Sequence, residues 1–236
     1  MKHNYLRSLF FFILLLSGCT GQPRNDSATV HSTTIKTAGA VSLRGEAWAD
    51  NWFAFYLGEK LLVEDSVPIT TERSFNAEIF TFTADYPLHF NFILKDFKEN
   101  DTGLEYIKTS RQQMGDGGFI AQFTDIKSGK LLAVSDASWK CTVIHTAPLD
   151  KACAKVSDPV AGEGACGFSA LDEPIGWKRA DFDDSDWATA TVYTAAEVSP
   201  KDGYDAINWQ PAAKLIWGAD LQTDNTLLCR VTVAAP

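Results

Sequence analysis

The 236-residue sequence predicts an all-β protein, an antiparallel β-sandwich or jelly roll, from three observations. Apolar and polar side chains alternate with period two in several short runs, and turn-forming residues punctuate those runs. No window of helix length carries a convincing apolar stripe, and no repeat recurs at a fixed period. Seven tryptophans and fifteen phenylalanines supply the bulk that fills the space between two sheets.

The chain opens with Lys2 and Arg7 ahead of an apolar run, Phe10 to Leu16, too short to span a bilayer. That is the pattern of a signal-peptide core. It ends in "LSGC", Leu16 to Cys19, which resembles the lipobox of bacterial lipoproteins. The resemblance implies a leader over residues 1–18 and lipidation of Cys19 as the first mature residue. Small residues at 17 and 18 fit a narrow peptidase cleft, and Cys19 supplies the thiol. The expected location is the bacterial cell envelope, anchored by lipid on the outer-membrane or periplasmic side, with surface exposure left open. Residues 19–40 are rich in Ser and Thr and lack aromatic residues, so they read as a flexible tether. Residues 41–236 remain for a single β-sandwich domain.

Within that domain, "WADNWFAFYLGEK" (Trp48 to Lys60) reads as a strand running into a tight turn, with Phe53 and Phe55 alternating with Ala54 and Tyr56. Leu57-Gly58-Glu59-Lys60 is the hairpin tip, and Asp50-Asn51 is read as capping the strand start. "FNAEIFTFTA" (Phe75 to Ala84) alternates, with apolar residues on both faces in places. "PLHFNFILKDF" places Leu88, Phe90, Phe92 and Leu94 on one face and His89, Asn91 and Lys95 on the other. "GGFIAQFTDIKSGKLLAVSD" is a hairpin turning at Ser128-Gly129. "TAAEVSPKDGYDAI" allows one short helical turn, stopped by Pro200 and Gly203. "LLCRVTVAAP" is a terminal strand.

Cysteine usage agrees with export. Beyond Cys19, the four others are Cys141, Cys153, Cys166 and Cys229, an even set that predicts two disulfides among three pairings. The favoured pairing joins Cys153 to Cys166 around a loop containing Asp158-Pro159 and Gly162-Glu163-Gly164. Cys141 and Cys229 then tie two strands distant in sequence. A cysteine-based metal site fails on spacing, since there is no CxxC and His145 is the only nearby histidine.

The chain holds 21 basic and 30 acidic side chains, a net charge of −9. Removing Lys2 and Arg7 with the leader leaves 19 against 30, or −11. Such acidity argues against nucleic acid as a partner and suits solubility.

Three segments carry a further resemblance. "GWKRADFDDSDWATATV" (Gly176 to Val192), "AAKLIWGADLQTDNTLLCRVTV" (Ala212 to Val233) and "ADNWFAFYLGEKLLVEDS" (Ala49 to Ser66) are similar to motifs of galactose-binding-like jelly-roll domains attached to bacterial glycoside hydrolases. In that family the FDDSxW segment comes first and the ADN segment last. Here the order is reversed, which resembles a circular permutation, a rearrangement that compact domains tolerate. The stretch from Pro68 to Lys178 does not match the family's middle. The resemblance therefore implies the fold more firmly than any binding residue.

No catalytic signature is present: Gly-x-Ser-x-Gly, His-Glu-x-x-His and phosphate-cradling glycine loops are all absent, and no enzymatic activity is expected. Asp181, Asp183, Asp184 and Asp186 offer oxygens for calcium, although their spacing does not fit an EF-hand loop. No cofactor is expected, with calcium left possible. The most unusual stretch is Leu94 to Phe119, long and polar between two strong strands. Its Asp96, Glu99, Asp101, Glu105, Tyr106, Arg111 and Asp116 suit hydrogen bonding to sugar hydroxyls beside an aromatic face. Trp48, Trp52, Trp139 and Trp209 are either sugar platforms or core, with core favoured. The expected function is a noncatalytic envelope lipoprotein that binds carbohydrate. The alternatives are a structural lipoprotein docking another envelope protein and a calcium- or metal-binding secreted protein.

Overall fold

The structure, a computed structural model, describes residues 30–235. The leader and Cys19 lie outside those residues. The strands run in chain order as β1 (Val30–Thr34), β2 (Val41–Asp50), β3 (Trp52–Leu57), β4 (Lys60–Glu64), β5 (Ala77–Ala84) and β6 (Leu88–Lys95). Next come β7 (Leu104–Glu105), β8 (Gln113–Met114), β9 (Gly118–Asp125), β10 (Leu131–Val134) and β11 (Lys140–Thr146). The last are β12 (Ser169–Ala170), β13 (Ala188–Thr189), β14 (Thr191–Tyr193), β15 (Leu215–Trp217) and β16 (Asp224–Val233).

Two seven-stranded sheets pack face to face as a β-sandwich. One has the order β1-β5-β2-β9-β15-β14, with β10 also on β9. The other has the order β12-β11-β16-β6-β3-β4, with β13 also on β11. Pairing is antiparallel except between β1 and β5. β7 and β8 form a small separate hairpin.

The alternation read in the sequence sets this packing. Leu88, Phe90, Phe92 and Leu94 of β6 all point into the space between the sheets, as do Phe53 and Phe55 of β3. They meet Phe80 and Phe82 of β5 and Phe119 and Phe123 of β9. Ring centroids stand 4.8 Å apart for Phe55–Phe92 and 4.4 Å for Phe90–Phe123. Each such pair contributes about 0.5–1.5 kcal/mol beyond the area it buries. The β9–β10 hairpin turns through Gly129 at φ +71°, and β3–β4 turns through Gly58 at φ +56°. The short helix α1 (Ala195–Val198) carries a capping box between Thr194 and Glu197 and ends at Ser199.

The outer face of the second sheet is covered rather than solvated. Trp177, Phe182 and Trp187 pack on Ala54, Ile93 and Leu228. The polar side chains of that face are drawn into the same layer. Arg230 Nε donates to Asn91 Oδ1 (3.1 Å), and its Nη atoms donate to Arg179 O (2.8 Å), Phe182 O (3.3 Å) and Asp184 Oδ2 (2.5 Å). This clamp docks the FDDSD turn on β16.

Both disulfides form as favoured. Cys141 and Cys229 face each other across β11 and β16, and Cys153 joins Cys166 around a short loop. One expectation fails. Val30–Thr34, read as tether, is an edge strand in parallel register with β5, Val30 opposite Ala77. Low apolar content does not prevent this, because an exposed edge strand needs backbone pairing more than a buried face. Side chains add to it: His31 Nδ1 lies 2.8 Å from Glu78 Oε2, and Thr81 Oγ1 donates to Thr34 Oγ1 at 3.1 Å.

Candidate functional site

The chain crosses from the first sheet to the second at Asp50-Asn51, between β2 and β3, and this crossover sits beneath the 94–119 segment. Asp50 does not cap a strand start. It is the fully buried last residue of β2, and its carboxylate turns toward Asp96 and Asp116. Asn51 is a clip: Oδ1 accepts from Phe97 N (2.6 Å), and Nδ2 donates to Glu72 O (3.1 Å). A strand-end reading treated both side chains as local, whereas burial forces each to find a partner from a distant loop.

The 94–119 segment is not a free loop. It folds back as the β7–β8 hairpin, with Leu104 buried against the Cys153–Cys166 disulfide. Gln112 Nε2 donates to Ala154 O (3.0 Å) and Val156 O (2.8 Å), fastening the tip to the disulfide loop. Gly103, at φ +71°, passes so close to Ala147 O that a Cβ there would stand 2.0 Å from it. Gly115 lies equally close over Asp96, where a Cβ would meet Oδ2 at 1.9 Å.

The seven candidate residues of this segment divide into three groups. Asp96, Glu105 and Asp116 converge below the hairpin. Glu99 and Asp101 serve the segment's own structure: Glu99 Oε1 accepts from Ile107 N (2.8 Å), and Asp101 pairs with Lys98 (2.5 Å) and with His145 Nε2 (3.1 Å). Tyr106 and Arg111 lie at the tip, the guanidinium 4.1 Å from the ring centroid. Lys201, which follows α1, was not anticipated. Its Nζ reaches Asp116 Oδ2 at 2.5 Å and Asp50 Oδ2 at 3.3 Å.

The electrostatics follow from burial. Desolvation, then the charges of neighbouring acids, holds the Asp50 and Asp96 carboxyls well above their ordinary range. Burial likewise pushes Glu105 up to about 7, although Gln113 donates to it at 2.8 Å. Lys201 is raised despite its partial burial, because Asp50 and Asp116 favour the ammonium.

Beside the cluster opens a cleft of about 370 Å³ lined by Lys95, Asp96, Phe97, Lys98, His145 and Thr226, with Ile69 at its edge. Lys95 Nζ lies 4.8 Å from the centroid of the Trp52 ring. Burial and then Lys98 lower the His145 pKa, against the opposing pull of Asn225 and Asp101, which favours the neutral imidazole. Among the tryptophans, Trp48 and Trp139 are core, while Trp52 and Trp209 are partly exposed.

The FDDSD acids do not converge. Asp181 forms a two-pronged pair with Arg179 (3.0 Å each), Asp183 Oδ1 accepts from Ser185 N (3.0 Å), and Asp184 belongs to Arg230. Asp186 is exposed. Alternate acids on a tight turn diverge, and the nearest arginines claim them.

No protein-family model, curated protein or solved structure matches this chain. Fold and site alone therefore define the class: a two-sheet, disulfide-bonded β-sandwich with a cleft of about 370 Å³ beside a group of buried carboxylates.

Proposed function

We propose that this protein is a noncatalytic, lipid-anchored protein of the bacterial envelope that binds carbohydrate in the cleft between β6 and His145. The observation that carries the reading is the cleft itself. Its volume of about 370 Å³ is ligand-sized, and donors from Lys95, Lys98 and Thr226 surround it, with Phe97 as an apolar wall. Alternating donors and apolar patches suit a ring that presents hydroxyls at its edge and C–H groups on its faces. The walls are preorganised, because the segment that forms them is fastened by Asn51, Gln112 and a disulfide.

The galactose-binding-like resemblance supports the same reading. Its ADN and FDDSDW segments lie far apart in sequence, yet Trp52, Ala54 and Tyr56 of the first share one apolar layer with Phe182 and Trp187 of the second. The LSGC run supports anchoring through Cys19.

A glycan array probed with the residue 20–236 chain tests the reading, with binding to a defined glycan class expected and Lys95→Ala expected to weaken it about tenfold or more. Silence across all glycans would sink it and turn attention to the exposed apolar side chains of residues 149–175, among them Leu171 and the fully exposed Ile175. Cys19→Ser is expected to move the protein from the membrane to the soluble fraction; retention in the membrane would exclude the anchor.

A further inference from the structure

Three carboxylates reach one point from three separate elements: Asp50 ends β2, Asp96 follows β6, and Asp116 stands just before β9. One oxygen from each lies within 4.8 Å of the others. That is the greatest separation two oxygens can have while each stands about 2.4 Å from one shared ion, the usual calcium–oxygen distance.

Acidic groups often cluster without binding anything. This cluster differs because it is starved of donors. Asp96 is 2 % exposed, and among the described residues neither of its carboxylate oxygens has a hydrogen-bond partner. Asp50 Oδ1, fully buried, has none either. The nearby donors are committed elsewhere. Phe97 N donates to Asn51 Oδ1 (2.6 Å), Asp96 N donates to Asn225 O (2.9 Å), and Lys201 reaches only Asp116 and the other oxygen of Asp50. Buried charge without partners is among the most heavily penalised arrangements in a protein.

Two remedies exist, a proton or a cation. One proton shared between two carboxylates satisfies a single pair of oxygens and leaves a third orphan. A cation instead draws one oxygen from each of the three carboxylates and offsets their charge together. Three carboxylates against one ammonium leave two negative charges, which one dication neutralises. We propose that Asp50, Asp96 and Asp116 bind one divalent cation of the calcium class, with Lys201 as a resident positive charge that moderates the affinity. Calcium is favoured over magnesium because magnesium needs shorter bonds, a near-octahedral shell and several retained waters. Gly115, packed over Asp96 with no room for a side chain, closes the site from above.

A filled site would tie the crossover, the start of the 94–119 segment and the approach to β9 into one unit. Asp96 also lines the proposed carbohydrate cleft, so the ion would stiffen its floor. The cation site does not depend on the carbohydrate reading, since it is probed without any glycan.

Calorimetric titration of EDTA-treated protein with CaCl2, and separately with MgCl2, tests it. One saturable calcium site is expected, with magnesium weaker. Asp96→Asn is expected to weaken calcium binding by about tenfold or more while melting no lower than the wild type in EDTA, since it removes an uncompensated buried charge. Lys201→Gln is expected to tighten binding by removing a competing charge. Absence of saturable binding up to about 10 mM of either ion would overturn the proposal, the weakest calcium modules lying near 1 mM. Unchanged affinity in Asp96→Asn would overturn it equally. If that variant does not fold, Asp116→Asn, at a half-exposed position, gives the same readout.

Discussion

Asp65 shows what burial alone does to one side chain. It follows β4, its Oδ1 accepts from Val67 N (3.0 Å), and its Oδ2 has no partner among the described residues. Burial pushes its pKa up to about 8 against the opposing Val67 N–H, with Glu78 adding to the rise. In the unfolded chain the same group titrates near about 3.9. A carboxyl raised in the folded state favours folding fully below the unfolded value, and that contribution is lost as pH rises toward about 8. Asp65→Asn removes the titration and keeps an acceptor for Val67. Its stability is therefore expected to gain on the wild type between pH 4 and pH 8, the gain reaching on the order of 5 kcal/mol when read from melting or urea midpoints across that range. A pH-independent difference between the two proteins would refute this account. Arg230 illustrates the opposite solution, a buried charge whose three guanidinium nitrogens all donate hydrogen bonds.

At the scale of elements, the two disulfides perform different tasks. Cys141–Cys229 joins facing residues of adjacent strands that the core already holds. Cys153–Cys166 closes a separation of 13 residues in a region with little regular structure, and Leu104 of β7 packs directly on it. The β7–β8 hairpin has only two residues in each strand, far too few to persist unaided. Its order depends on the disulfide loop beneath it and on Gln112 bridging to that loop. Replacing Cys153 and Cys166 together with alanine is expected to lower unfolding free energy by about 3 kcal/mol, read from urea midpoints. Hydrogen exchange should also quicken in residues 104–114 more than in β6 or β9. Equal protection in all three would show that the hairpin stands without the staple.

Across the whole molecule, legibility followed the range of the interactions. Strand alternation is local, so β3, β5, β6, the β9–β10 hairpin and β16 could be read directly, and the inward faces of β3 and β6 with them. Of the three possible disulfide pairings, the one favoured from sequence, Cys153 with Cys166 and Cys141 with Cys229, is the one that forms. The β1 edge strand was not, because backbone pairing along a sheet edge leaves no apolar signature. The candidate site was half legible. Asp96, Glu105 and Asp116 stood out in one polar segment, whereas Asp50 lay in an unrelated strand and Lys201 beyond a helical turn.

By itself, then, sequence determined the all-β sandwich, an even set of four cysteines for two disulfides and the polar character of the 94–119 segment, because period-two patterning and composition are local properties. Only the tertiary structure decided that Asp50 is a buried neighbour of Asp96 rather than a cap, and that the FDDSD acids diverge, Asp181 to Arg179 and Asp184 to Arg230. The physical reason is that a side chain's role there depends on which distant groups share its desolvated space, and only folding brings those groups together.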